Sequence, residues 1–136
     1  MKRFSFILQL LFTAILVFAC SLPVVEQYDN FLADLDIEMR LDMCMKQIHE
    51  ENPSLYTRAD LETIQEDLAT LTISDSRIIQ INEVFADTAK ALQESIAFLD
   101  ENDPTGAQLS YQEAYDLRMQ AKNLLYDMHQ GGPPSV

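Results

Sequence analysis

The densest run of side chains able to do chemistry lies between Met39 and His49, where Met39, Met43, Cys44, Met45 and His49 follow in close succession. Thioether, thiol and imidazole are soft donors that select Cu(I), so a copper site is the sharpest chemistry this run could support. Helical phase weighs against it: Met39 and Met43 share one face, and Met45 and His49 share another that is roughly 90° or more away. One helix cannot bring both sets to a single ion. Methionine also fills irregular gaps in a core. The reading is packing, with these five residues retained as the weak metal-ligand candidates and no cofactor expected.

Catalytic patterns are otherwise absent from the sequence. It holds no nucleophile elbow, no phosphate-binding Gly-rich loop and no His-Glu-x-x-His. With 2 histidines and 3 glycines, an acid–base site would have to be assembled from scattered carboxylates and tyrosines, so the protein is expected not to be an enzyme. The charge that stands out is Arg118, which helical phase puts inside an apolar stripe. Its stem can snorkel past the core, it can pair with a carboxylate of a facing helix, or it can line a cleft walled by Tyr111 and Tyr115.

A different kind of chemistry is written at Cys20. Met1-Lys2-Arg3 is basic, and the run from Phe4 to Ala19 is uncharged. That run is short for a helix crossing about 30 Å of hydrocarbon, and with a small residue at its end it has the form of a cleaved signal peptide. Leu16-Val17-Phe18-Ala19-Cys20 resembles the lipobox of bacterial lipoproteins. The resemblance implies cleavage before Cys20, a thioether-linked diacylglycerol on its sulfur and, in many bacteria, a third acyl chain (palmitate or similar) on its amine. The partner is then the lipid bilayer, since two or three chains hold what one holds only marginally. Ser21, standing where an Asp would retain such proteins at the inner membrane, implies the outer membrane of a Gram-negative envelope, with the domain facing the periplasm. Ordinary signal cleavage after Ala19 is the alternative, and it would leave Cys20 free to bridge to Cys44.

Two fainter resemblances concern cofactors. Glu113-Ala114, Lys122 and His129 are spaced as in the last helix of small periplasmic haem-b four-helix cytochromes, whose C-terminal histidine faces a methionine from helix one. Here the corresponding Asp29-Asn30-Phe31 offers no sulfur. Glu101-x-Asp103-x-Thr105-Gly106 resembles the start of a calcium loop, but Gln112 stands at the twelfth position where a bidentate Glu is needed, and Gln108 where an aliphatic is wanted. A capped helix turn accounts for the same residues.

The elements that must carry these groups are helical. Apolar residues recur at steps of three and four, and sustained period-two alternation is missing. A first helix is expected over about Glu26 to Asn52, stopped by Pro53, with Tyr28, Phe31, Leu32, Leu35, Met39 and Met43 on its inward stripe. Leu41, Cys44, Met45 and Ile48 fall on its other side. A second starts near Thr57-Arg58-Ala59-Asp60, Thr57 being the cap, and carries Leu61, Ile64, Leu68 and Leu71. A third, after Ser74-Asp75-Ser76, carries Ile78, Ile81, Phe85, Ala89, Leu92, Ile96 and Leu99. A fourth opens at Asp103-Pro104 and carries Ala107, Tyr111, Ala114, Ala121, Leu125 and Met128. Short connections between four such helices predict an all-α, antiparallel, up-down-up-down bundle. The predicted organisation is a signal peptide over 1–19, a lipidated tether over 20–25, a bundle over 26–130 and a flexible tail over 131–136.

Loss of residues 1–19 leaves 7 basic against 22 acidic side chains, a balance of −15. Such a surface repels nucleic acid and favours cationic partners. The expectation is a tethered, non-enzymatic adaptor or accessory factor for an envelope assembly of the secretion or pilus kind, with a protein partner. The alternatives are a metal- or haem-binding periplasmic bundle, and an inhibitor or immunity-type lipoprotein directed at a basic partner.

Overall fold

The computed structural model describes residues 23–50 and 52–131. The expected signal peptide, the lipobox-like run with Cys20 and Ser21, and residues 132–136 of the expected tail lie outside the described residues. The described chain is all-helical, without a strand: α1 (Val24–Asp34), α2 (Ile37–His49), α3 (Leu55–Ala69), α4 (Ser76–Asp100) and α5 (Pro104–His129).

The first expected helix is two. Asp36 adopts φ 51°, ψ 31°, a left-handed conformation that Asp tolerates better than most residues but that no helix can run through. The freed end of α1 is held from across the break, where Arg40 Nη1 donates to the carbonyl of Leu35 at 3.1 Å. Restarting after Asp36 resets the phase. Tyr28 and Leu32 of α1 are buried, and in α2 the inward residues are Ile37, Leu41, Cys44, Met45 and Ile48. Met39 and Met43, expected inside, each stand 55% exposed.

α3 begins earlier than Thr57. Ser54 is its cap: the Ser54 hydroxyl accepts from Thr57 N–H at 3.2 Å and Thr57 Oγ1 accepts from Ser54 N–H at 3.0 Å. This reciprocal box satisfies two otherwise free donors, with Thr57 its third helical residue and further bonded to Gln47 of α2. The added turn places Leu55 and Tyr56 in solvent, while Leu61, Ile64 and Leu68 face the core.

α4 and α5 follow their expected seams. Asp75 caps α4 by accepting from Arg77 N–H at 2.9 Å, and Ile78, Ile81, Phe85, Ala89, Leu92 and Ile96 are buried. α4 ends with Asn102 left-handed at φ 57°; Asp103 N–H reaches Phe98 O at 2.9 Å and Asn102 N–H reaches Leu99 O at 3.1 Å. That pair of bonds closes the last turn of the helix. Asp103 then caps α5 through Gly106 N–H at 3.0 Å. Gly106 answers to a close approach, because a Cβ there would lie 2.7 Å from Phe98 Cδ1. The small residues Ala89, Ala107, Ala114 and Ala121, all buried, let these two long helices run close along their length.

The core is one cluster drawn from all five helices. Each fully buried large side chain such as Phe85, Ile81 or Leu61 contributes roughly 1.5–3 kcal/mol of transfer free energy. α3 is fastened to α4 by Asn82 Nδ2 donating to Leu68 O at 2.9 Å and by Gln65 to Gln93 at 2.7 Å. Arg58 makes a forked bond to both Asp100 oxygens at 2.7 Å. No described helix is long and apolar enough to cross a membrane.

Candidate functional site

Arg118 projects from α5 toward α2 with its side chain only 12% exposed. Its Nε donates to Asp42 Oδ1 at 2.9 Å, and its Nη2 donates to Glu38 Oε2 at 2.9 Å and to Asp42 Oδ2 at 3.4 Å. The guanidinium carbon lies 5.7 Å from the centre of the Phe85 ring, so the cation also rests on the face of an aromatic from α4. Burial, the largest influence on Arg118, opposes its charge. The bonds to Asp42 and attraction from Glu38 outweigh it and raise the pKa above the ordinary arginine value. Nη1 is buried without a hydrogen-bond partner. Of the three fates open to Arg118, the structure takes the carboxylate pairing.

Tyr111 and Tyr115 do not wall a cleft around that guanidinium. Tyr115 is exposed, while Tyr111 is half-buried beside His49, with ring centroids 5.6 Å apart. The two rings stand in a cleft of about 400 Å³ at the junction of α2, α4 and α5, floored by Ile48, Leu99, Pro104 and Ala107. Burial, and then the neighbouring Tyr115, raises the Tyr111 pKa and keeps its hydroxyl protonated.

A second arginine clamp escaped the sequence reading. Arg40 of α2 donates through Nε to Asp60 at 2.8 Å and through Nη1 to Asp67 at 2.7 Å. It therefore ties α1, α2 and α3 at one point. The signal was there: Asp60 and Asp67 are two turns apart and share one face, opposite an arginine that follows an acidic break.

His129 faces α1. Its Nδ1 lies 2.6 Å from Leu125 O and its Nε2 lies 2.8 Å from Asp29 Oδ2. Both partners are acceptors, so the arrangement favours the protonated ring, which donates from both nitrogens. The Asp29 bond first, then the Leu125 carbonyl, raise its pKa. Neither nitrogen is free for the iron that the cytochrome resemblance implies.

The weak metal candidates are not brought together. Met39 and Met43 face solvent, Met45 is in the core and His49 is exposed beside Tyr111. Cys44 is a buried free thiol turned toward α3, 4.0 Å from Thr57 O and from Asp60 Oδ2. Burial, with Asp60 adding to it, pushes that thiol up to about 11. Among the described residues, no group of three or more His, Cys, Asp or Glu side chains could hold a metal ion. The calcium-like turn spends Asp103 on its helix cap.

Arg40, Arg58, Arg118 and His129 thus join helices and Cys44 is buried, while some large apolar side chains stand outside. Tyr115, Met119 and Tyr126 of α5, Met39 and Met43 of α2, and Leu55 and Tyr56 of α3 are exposed. No family model, no curated protein and no solved structure matches this chain.

Proposed function

We propose that this protein is a lipid-anchored bacterial envelope lipoprotein that acts as a non-enzymatic helical adaptor for an envelope assembly. The observation that carries this reading is a division of labour: Arg40, Arg58, Arg118 and His129 bond across to neighbouring helices and Cys44 is buried, while Tyr115, Met119 and Tyr126 of α5, Met39 and Met43 of α2, and Leu55 and Tyr56 of α3 face outward. Contact with another protein uses such exposed side chains.

In the proposed adaptor, α2, α3, α4 and α5 run alternately up and down as a four-helix bundle, with α1 as an arm at one end. Supporting it, Arg58 at the start of α3 meets Asp100 at the end of α4, and Ser95 late in α4 meets Ala107 early in α5 at 2.8 Å. Leu68 at the end of α3 meets Asn82 early in α4, and Asp29 of α1 meets His129 at the end of α5. An acyl group on Cys20 would then hold the α1 end near the bilayer, because the four residue steps from Cys20 to Val24 span at most about 14 Å. The far end of α4, a 25-residue helix, would project roughly 37 Å further.

Crosslinking in whole cells, followed by identification of the captured proteins, tests the adaptor reading. Recovery of components of one multiprotein envelope machine is the expected result. Repeated capture of no protein at all would remove it.

A further inference from the structure

Three exposed apolar residues of α5 form a stripe. Tyr115, Met119 and Tyr126 are 47%, 38% and 65% exposed. At about 100° per residue, Met119 lies roughly 40° and Tyr126 roughly 20° round from Tyr115. Their Cα positions span about 17 Å along the axis. Beside them an open groove of about 660 Å³ runs between α5 and α4, lined among others by Gln80, Asp116, Met119, Asn123, Tyr126 and Asp127, with no lysine or arginine in its lining. Lys122, exposed, shares the face of the stripe by helical phase.

We propose that this α4–α5 groove is the docking site for a basic amphipathic helix of a partner protein, its apolar face seated on Tyr115, Met119 and Tyr126 and its lysines or arginines on Asp116 and Asp127. The proposal rests on the adaptor reading and names its surface. Tyr115 and Met119 at i and i+4 and Tyr126 at i+11 flank Lys122 at i+7, so a docked helix meets apolar side chains on both sides of one lysine and acidic ones at Asp116 and Asp127. Charge decides among occupants. A second copy of this chain would set Asp116 and Asp127 against identical carboxylates, on a body whose mature balance is −15, and like charges across an interface cost several kcal/mol. Anionic headgroups and nucleic acid meet the same repulsion. A cationic helix gains from it, and the Gln80 and Asn123 amides remain at the rim to accept or donate hydrogen bonds.

The test uses the full-length protein purified from membranes in detergent, and a fluorescein-labelled two-heptad peptide of leucine and lysine, with a leucine–glutamate peptide as its counterpart. Fluorescence anisotropy should show binding of the lysine peptide alone. The Met119→Ala/Tyr126→Ala variant and the Asp116→Lys/Asp127→Lys variant should each weaken it about tenfold or more. The Leu55→Ala/Tyr56→Ala variant, altered at exposed residues on α3, should bind as the parent does. Equal loss in all three, or loss in none, would mean diffuse attraction to an acidic surface and would overturn the proposal. So would self-association in sedimentation equilibrium that disappears in the Met119→Ala/Tyr126→Ala variant. Photo-reactive residues at positions 119 and 56 separate the two readings in cells. Adducts from 56 but not from 119 discard the groove and keep the adaptor; adducts from neither discard the adaptor as well.

Discussion

Arg118 of α5 and Asp42 of α2 are joined at 2.9 Å through Nε and Oδ1, across 76 residues of sequence. The arginine is mostly covered, whereas its acidic partners Asp42 and Glu38 are 59% and 46% exposed. Water therefore screens the carboxylate side of the pair, and most of what Arg118 contributes comes from its stem and its stacking on Phe85. Arg118→Met, which keeps the stem, should cost about 1 kcal/mol or less; Arg118→Ala, which also opens a void over Phe85, about 2–3 kcal/mol. Urea unfolding of the two variants checks this. Equal losses would mean that the charge, not the packing, is what matters.

α1 depends on few anchors, and Tyr28 is the largest. It is completely buried, stacks on Phe31 at 5.9 Å between ring centroids, and its hydroxyl reaches Asn82 at a long 3.4 Å. A bond that long contributes little, so Tyr28→Phe should lose under about 1 kcal/mol while Tyr28→Ala loses about 3–5 kcal/mol. Hydrogen exchange should rise in residues 24–34 for the Ala variant before it rises in α4 or α5. Uniform exchange would show that α1 opens only with the whole domain.

The His129–Asp29 contact fixes a sign for the pH dependence of stability. The folded-state pKa of His129 is raised, mainly by the Asp29 bond, so the folded form binds the proton more tightly than the unfolded form does. Its contribution is complete below the unfolded pKa of about 6.5 and is lost as pH rises through the higher folded value. Both groups are over a third exposed, so the effect is small. Comparing the parent with His129→Gln by thermal melts should show a difference on the acid side that narrows toward alkaline pH. A difference that widens with pH would contradict the pairing.

Cys44 should behave as an inert core residue. With its pKa near 11 through burial and Asp60, almost none of it is thiolate at neutral pH, and thiolate is the reactive form. An aromatic disulfide reagent at pH 8 should label the thiol at position 44 at the rate of unfolding, and at once in denaturant. Rapid labelling of the folded protein would place that sulfur at the surface.

Much of this architecture can be read from residue types because α4 and α5 are simple cases. Asp75 and Asp103 sit where caps belong, and one apolar phase continues from Ile78 to Leu99 and from Ala107 to Met128. The first helix misleads because its phase shifts without the usual punctuation. No Gly or Pro marks Asp36, and the adjoining apolar residues allowed Met39 and Met43 to be assigned inward when Leu41, Cys44, Met45 and Ile48 take that place. Around Arg118, helical phase identified a buried charge and its facing-helix partners as one outcome. It could not choose Asp42 and Glu38, since relative rotation of helices distant in sequence is set by packing. Thr57 has the character of a cap in the sequence because it supplies half of the Ser54–Thr57 box.

The proposed attachment to the membrane depends on the chemistry at Cys20. Intact-mass measurement of the protein recovered from host membranes should give a chain that has lost residues 1–19 and gained the mass of a diacylglycerol, and the Cys20→Ala variant should lack that increment. A membrane-associated chain still carrying Met1, or a mature amino terminus with an unmodified sulfur, would contradict the lipid-anchored adaptor.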